Sequence, residues 1–330
     1  MERQLTFSTM EYDSRKFSTT KSRFLEMMDA KIDWKKWCAI IEPFYFEGKR
    51  GRPPVGLERM LRMYLLQVWF SLSDRVVEDE INEGLSFRKF MGLSTLDERS
   101  PDATTLCNFR AIIEDNCVDK MIFESVNETL DANGVVCRGG TIMDSTHIAA
   151  PSSTKNSTGE RDPEMHSAKK SNQWHFGMKI HIGVDAVTGY VHTAAATSAN
   201  VHDVAVASQL IRPDDHVVYG DSGYLGIQNR EEVANDEHLS QVEFRINCRP
   251  SQIRIPANRM DINWDKKIES QKSSVRCKVE HAFLIVKRQF GYAKTAYRGL
   301  KKNLGRFYML LASANIVMYC RSGRTEIPAL

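Results

Sequence analysis

No apolar run in this chain of 330 residues is long enough to span a bilayer, and its opening stretch, MERQLTFSTMEYDSRK, lacks the apolar core of a secretory signal. Both absences predict a soluble cytoplasmic protein with no membrane partner. The seven cysteines are scattered, odd in number and without a CxxC pair. That pattern excludes a disulfide framework and a structural zinc site, and fits a reducing compartment. Also missing is a tyrosine or serine set among several arginines, which a covalent recombinase would need. Net charge is scarce too, at +3, but it is unevenly divided. From Arg249 onward there are 17 Lys+Arg against 5 Asp+Glu, leaving 28 against 37 in the first 248 residues. A basic third of that kind predicts a polyanionic partner on its side of the molecule.

The first part of the chain reads as helical. Residues 1–33 are polar and weakly patterned, the expectation for a mobile arm or a docking segment. A short helical pattern over Trp34–Ile41 ends at Pro43. In FEGKRGRPP, which cannot be helical, Lys49, Arg50 and Arg52 can lie along a phosphate backbone or form a plain linker. Leu57–Leu72 carries a long apolar helical period, and Asp74 is the expected cap of DRVVEDEINEG. Asp102 should cap a further helix that presents Thr104, Thr105, Asn108 and Arg110 on its early turns. Several short helices with a polar N-terminal end on the last give the outline of a helix-turn-helix reader, or of a helical bundle with a wet face. This region, 34–133, is assigned as an N-terminal all-α domain.

Near Gly134 the period changes to that of strands. VVCRGGTIMDSTHIAAP reads as a strand on which Asp144 and Thr146 share one face and Ser145 and His147 the other. Residues 151–173 are polar and predict a long loop, with Lys155, Arg161, Lys169 and Lys170 making a DNA-contacting flap. WHFGMKIHIGVDAVTGYVHTAAATS predicts a hairpin with Asp185 as a turn residue. Asp203 is the expected cap of a helix over VAVASQLI, and HVVYGDSGYLG a strand ending at Asp221 between two bend-permitting glycines. A helix near 226–236 and a strand at VEFRIN follow. The late helix is Val275–Phe290, with Val275, Val279, Ala282, Phe283, Val286 and Phe290 as its buried stripe. Beside that stripe run Arg276, Glu280 and Lys287, within roughly 40° of one another at about 100° per residue. The expectation is a carboxylate held between two cations at the edge of a buried face, or an ordinary i,i+4 ion pair on a solvated helix.

The predicted order is strand, hairpin, helix, strand, helix, strand, helix, with acids at two strand ends and on a late helix. This is the topology of an RNase H-like α/β domain, a mixed sheet flanked by helices, assigned to 134–320 with basic C-terminal helices and a tail at 321–330. Three carboxylates suit Mg²⁺ or Mn²⁺, which take hard oxygen ligands and keep positions open for water and phosphate.

Several blocks carry a closer likeness: GRPPVGLERMLRMYLLQVWFSLSD, SPDATTLCNFR, TIMDSTHIAAPSSTKN, QWHFGMKIHIGVDAVTG, TSANVHDV, YGDSGYLG and VRCKVEHAFLIVKRQFGYAKTAYRGLKKN. With these the chain resembles bacterial insertion-sequence transposases of the IS5 family from about Trp34 to Tyr319. The resemblance implies a DDE transposase that binds terminal inverted repeats, cleaves at the element's ends and joins the 3′-OH to target DNA. It implies that Asp144, Asp221 and Glu280 hold two Mg²⁺ or Mn²⁺ ions. Arg276 and Lys287 match the basic members of the family's Y-(2)-R-(3)-E-(6)-K signature, whereas Ser273 stands at the tyrosine position. The gap from Asp221 to Glu280 leaves no room for a large insertion domain. The expected partner is double-stranded DNA of the element's ends and target, bound by a homodimer associated with the nucleoid. Its contacts would come from Arg276, Lys287, Arg288, Lys294, Arg298, Lys301, Lys302 and Arg306, together with the N-terminal residues named above. The alternatives are a related metal-dependent nuclease that does not join strands, and a DNA-binding regulator without catalysis.

Overall fold

The computed structural model describes residues 17–45, 53–93, 98–156, 159–170, 172–254 and 263–323. The chain forms two compact units, Met1–Thr129 with Tyr308–Leu330, and Leu130–Phe307. The sequence reading kept the last long helix with the sheet as part of 134–320. In the structure its C-terminal part groups with the helices instead, because Leu310, Leu311 and Ser313 face inward there and Trp69 Nε1 donates to Ser313 Oγ at 2.8 Å.

The first unit is all-α. Its helices are α1 (Thr20–Lys31), α2 (Trp34–Ile41), α3 (Leu57–Phe70), α4 (Asp74–Glu83), α5 (Leu85–Met91), α6 (Ala103–Asp115) and α7 (Val118–Ala132). α1 falls within the stretch read as a mobile arm. Its buried Leu25 and Met28 lie one turn apart, and the Thr19 side chain caps its start by accepting from Ser22 N. Two polar contacts give the unit its internal order. Arg62 is buried, pairs with Asp29 and Glu58, and lies 3.8 Å over the Trp34 ring. Arg110 pairs with Asp74 and also donates to Gln67. Asp74 is therefore not the cap of α4; Ser73, one residue earlier, accepts from Val76 N.

The second unit is a mixed six-stranded sheet: β1 (Thr141–Ala149), β2 (His166–Lys170), β3 (Gln173–Asp185), β4 (Val191–Ser198), β5 (Val217–Gly220) and β6 (Glu243–Ile246). β1, β3 and β4 are antiparallel neighbours, while β5 pairs parallel with β1 and β6 parallel with β5. This is the RNase H-like order anticipated from the sequence. Met143, Val218 and Ile246 enter a core cluster with Leu210, Tyr224, Ile227 and Val233. That cluster also covers Asp203–Leu210, a 3₁₀ segment where an α-helix of the same length was expected, and the short helix α8 (Glu231–Ala234), where a longer one was expected.

Two further expectations change here. Residues 166–170, read as part of a long loop, pair with β3 as a two-stranded ribbon. Asp203 caps nothing; its carboxylate takes Lys179 Nζ at 2.9 Å. The late helix is α9 (Trp264–Leu284), which continues as one π-helical stretch, Ile285–Gln289, and is followed by α10 (Leu300–Arg321). α9 packs across β1 and β5, burying Val279, Ala282, Phe283 and, in the π stretch, Val286. No described helix is long and apolar enough to cross a membrane.

A polar network closes the N-terminal end of β1. Asp185 Oδ1 accepts from Val187 N, Thr188 N and Thr188 Oγ1, the turn role read for it, and Asp185 and Asp215 both pair with Arg212. Thr141 donates to Asp215, so its oxygen accepts from His192 Nε2 at 2.9 Å, and His192 Nδ1 accepts from Thr193 Oγ1. Burial above all, with Arg212 beside it, holds this neutral imidazole down to about 3. An unfolded chain takes the proton below about 6.5, which the folded one refuses. His192 should therefore cost stability as pH falls from 6.5 toward 3, with a slope of up to about 1.4 kcal/mol per pH unit. Equilibrium unfolding of the protein and of His192→Gln across that range would show a shallower fall for the variant; parallel curves would show that His192 is not responsible.

Candidate active site

Two acids are brought together by strand register. Ile142 of β1 pairs with Tyr219 of β5, and both strands run the same way. Two residues further along, Asp144 and Asp221 stand at the same height, Asp221 just past the end of β5 but Asp144 inside β1, which runs on to Ala149 where the sequence reading had ended it. β6 continues the row, since Gly220 pairs with Ile246 and Asn247 N donates to Gly220 O, which sets Asn247 beside Asp221.

Each acid is oriented by its own backbone. Asp144 is half-buried and accepts from Ser145 N at 2.8 Å. Asp221 opens a 3₁₀ turn, Ser222–Tyr224, by accepting from Gly223 N at 2.9 Å. Neither makes an ion pair with another described residue. Burial pushes the Asp144 carboxyl up to about 6, with Asp221 and Asp203 adding to the rise; the Ser145 amide and Arg276 oppose it. Tyr224 lies beneath them, fully buried, its hydroxyl without a partner. Burial first, then Asp203, Asp144 and Asp221, raise that phenol well above its usual range.

Asp203 and Asn247 are the residues the sequence reading passed over. Asp203 reaches the acid group from the 3₁₀ segment, with Lys179 on one oxygen and the other facing Gly223. Asn247 ties α9 to the sheet: its Nδ2 donates to Glu269 and Ser273, and its Oδ1 accepts from Arg276 Nη1 at 3.0 Å. Thus Ser273, at the tyrosine position of the sequence signature, is engaged within the protein. An open cleft of about 460 Å³ lies alongside, lined by Asp221, Asn247, Lys266, Glu269, Ser273 and Arg276.

The expected clamp of two cations on Glu280 is absent. Arg276 goes to Asn247 and Lys287 Nζ donates to His147 O at 2.9 Å, while Glu280 is exposed and makes no hydrogen bond or ion pair with another described residue. The π stretch explains part of this. It inserts a wider turn between Glu280 and Lys287, so the seven-residue offset no longer returns the lysine to the same face. Among the described residues no three His, Cys, Asp or Glu side chains converge at metal-ligand distance. Asp144 and Asp221 nonetheless offer what a divalent cation needs, two hard carboxylates at one height without a cationic partner, beside a phenol hydroxyl with nothing to bind.

The other candidate DNA contacts divide. Arg288, Lys294, Arg298, Lys301 and Lys302 are exposed; Arg306 is buried against Tyr292 and Tyr297 and faces no ligand. In the helical unit Thr104 and Asn108 are exposed and Thr105 half-buried, but Arg110 is consumed by Asp74 and Gln67. Lys49, Arg50 and Arg52 lie outside the described residues.

Comparison with known proteins adds the following. A family model described as "Transposase DDE domain" matches residues 136–316, and one described as "Transposase domain (DUF772)" matches residues 13–111. Among solved structures the chain is similar to the cryo-EM structure of the piggyBac transposase synaptic complex with hairpin DNA. Identity is 12%, with 94% of this chain and 76% of that chain covered and a TM-score of 0.44.

The narrow fit around Asp221 gives a test. A Cβ on Gly223 would stand 2.9 Å from Asp221 Oδ1 and 3.5 Å from Asp203 Oδ2. Gly223→Ala should turn the Asp221 carboxylate away and lower Mn²⁺ affinity by about tenfold or more, while the melting temperature moves by only a few degrees. Calorimetric titration with Mn²⁺ checks this; unchanged affinity would mean that Asp221 does not bind the ion in this orientation.

Proposed function

The chain belongs to the family of transposases built on a DDE domain, divalent-metal enzymes that cut and join DNA, and from that premise we propose that Asp144, Asp221 and Glu280 are its catalytic acids. The observation that carries the reading is the row formed by Asp144 and Asp221 on parallel neighbouring strands, both without a cationic partner. Glu280, exposed and unpaired one turn beyond Arg276, is the third acid and completes the set when the DNA end is engaged. Two Mg²⁺ or Mn²⁺ ions, when bound, supply charge that polarises the scissile phosphodiester and makes water a better nucleophile.

The protein's own groups do the rest. Ser145 N and Gly223 N fix the two aspartates, and Tyr224, locked in the core, closes the site from below without a hydrogen bond to either. Arg276, held by Asn247, keeps positive charge beside Asp144 without neutralising it through contact, so the acid stays available as a ligand. Water cuts at the element's end and leaves a 3′-hydroxyl, which then attacks a phosphodiester of the target. The terminal inverted repeats are the sequence recognised, with Thr104 and Asn108 on α6 offered to base edges and Arg288, Lys294 and Lys301 to phosphates. The assignment within the family is to the IS5 group, supported by the spacing of Arg276, Glu280 and Lys287, and the acting species is a homodimer holding two ends.

Asp144→Asn, Asp221→Asn and Glu280→Gln should each reduce cleavage of DNA carrying both flanks of the gene. The loss should exceed the roughly 10–100-fold seen when a group that merely orients a ligand is removed. Gel-shift affinity for the same DNA should stay within a fewfold. Persistent cleavage by one variant removes that residue from the site, and cleavage without strand joining in the unaltered protein would favour the nuclease.

A further inference from the structure

The β2–β3 ribbon extends beyond the body of the sheet and carries the most exposed tryptophan of the described residues. Trp174 is 70% exposed at a position where β3 has left β1 behind, since β1 ends its pairing at Ala149 opposite Gly177. Gly177 is the root of the ribbon: a Cβ there would come within 2.1 Å of Ile148 O, so only glycine lets the strands cross so closely.

One face of the ribbon has a definite chemistry. Trp174 and Phe176 lie on it, with Lys169 directly across from Trp174. The Arg161 guanidinium stands 5.4 Å over the Phe176 ring, and Arg298 donates to Arg161 O. The adjacent acids Asp162 and Glu164 are turned to the backbone, accepting from Gly299 N at 2.7 Å and Leu300 N at 2.6 Å. They pin the ribbon's approach to the start of α10 and leave Glu160 as the other acid of this stretch. The segment is therefore an anchored aromatic and basic surface, where the sequence reading had a loose flap.

An indole exposed to this degree gives up the stabilisation that burial brings a large aromatic side chain. The base faces of intact duplex DNA are covered by stacking, whereas cutting and joining an end opens base pairs. We propose that the ribbon is a DNA-stacking arm: Trp174 lies against a base bared by unpairing, and Lys169, across from it, holds the neighbouring phosphate, while Arg161, tied to Ser152 O and the Phe176 ring, stiffens the base of the arm. Eight residues of β3 separate Trp174 from Ile182, which pairs with Asp144. At ~3.4 Å per residue that is up to about 27 Å, or about eight base steps from the phosphate to be cut. The proposal rests on the reading of the protein as a DNA-cutting enzyme and adds a contact outside its acid site.

The test compares the full-length protein, Trp174→Ala and Trp174→Phe on a labelled mixed-sequence duplex and on the same duplex with a few unpaired bases at its centre. Trp174→Ala should lose about tenfold in affinity for the unpaired probe and less than twofold for the intact duplex, and Trp174→Phe should recover most of the loss. Melting temperatures should agree, because the side chain is exposed. Equal affinities for the unpaired probe, or an equal loss on both probes, would overturn the arm. So would intact DNA affinity with reduced self-association in light scattering, which would make the ribbon a contact between copies. Failure of the unaltered protein to bind either probe would instead defeat the functional reading beneath it, so the two failures can be told apart.

Discussion

The parallel register of β1, β5 and β6 is the constraint on which the site depends. Asp144, Asp221 and Asn247 come from segments far apart in the chain, yet each follows its strand to the same height because backbone ladders fix the offset. A slip of one residue in any of these pairings would send the side chain to the opposite face. The register is secured by burial, since Met143, Val218 and Ile246 must enter one apolar cluster together. Apolar packing on one side of the sheet thus determines where the carboxylates end.

That arrangement concentrates negative charge, and the fold manages it without removing it. Asp203 is paired with Lys179, so one of the three neighbouring aspartates is compensated. Asp144 and Asp221 are left with backbone amides and a nearby arginine that touches neither. A half-buried carboxylate in such a place resists ionisation, which is the direction seen for Asp144. A protein with no use for this pair could relieve it with one lysine. Arg276, the nearest candidate, is instead drawn aside by Asn247, which also holds Glu269 and Ser273 and so docks the whole helix α9.

Much of this was legible in the sequence, and the boundary of legibility is physical. Asp144 and Asp221 stood out because each ends an apolar run, although β1 itself continues past Asp144 to Ala149, and Asp221 is flanked by glycines that permit a sharp bend. The sheet order and the turn role of Asp185 followed from local pattern in the same way. Asn247 carried no local signal, because its importance lies in a register with Gly220 that no short window contains. Asp203 looked like a helix cap, and the lysine that claims it lies 24 residues upstream on another strand. Residues 166–170 were missed because HSAKK has no alternation of apolar residues to mark a strand; it pairs through its backbone alone.

The same distinction governs the charges. Counting lysines and arginines along the chain gave the right sign for a DNA partner but overstated the number of contacts available to it. Arg110, Arg276, Lys287 and Arg306 were each read as DNA contacts from the sequence, yet each is held by internal oxygens or aromatic rings. What diverted them was an acceptor supplied by a remote element: Asp74, Asn247, the carbonyl of His147 and the hydroxyl of Tyr297. The exposed cations Arg288, Lys294 and Lys301 lie in the π stretch, in the loop after it and on the first turn of α10, where the sheet offers no comparable acceptor. Availability to a phosphate is therefore a property of the fold, and a basic segment becomes a binding surface only in the part that the protein's own oxygens have not already claimed.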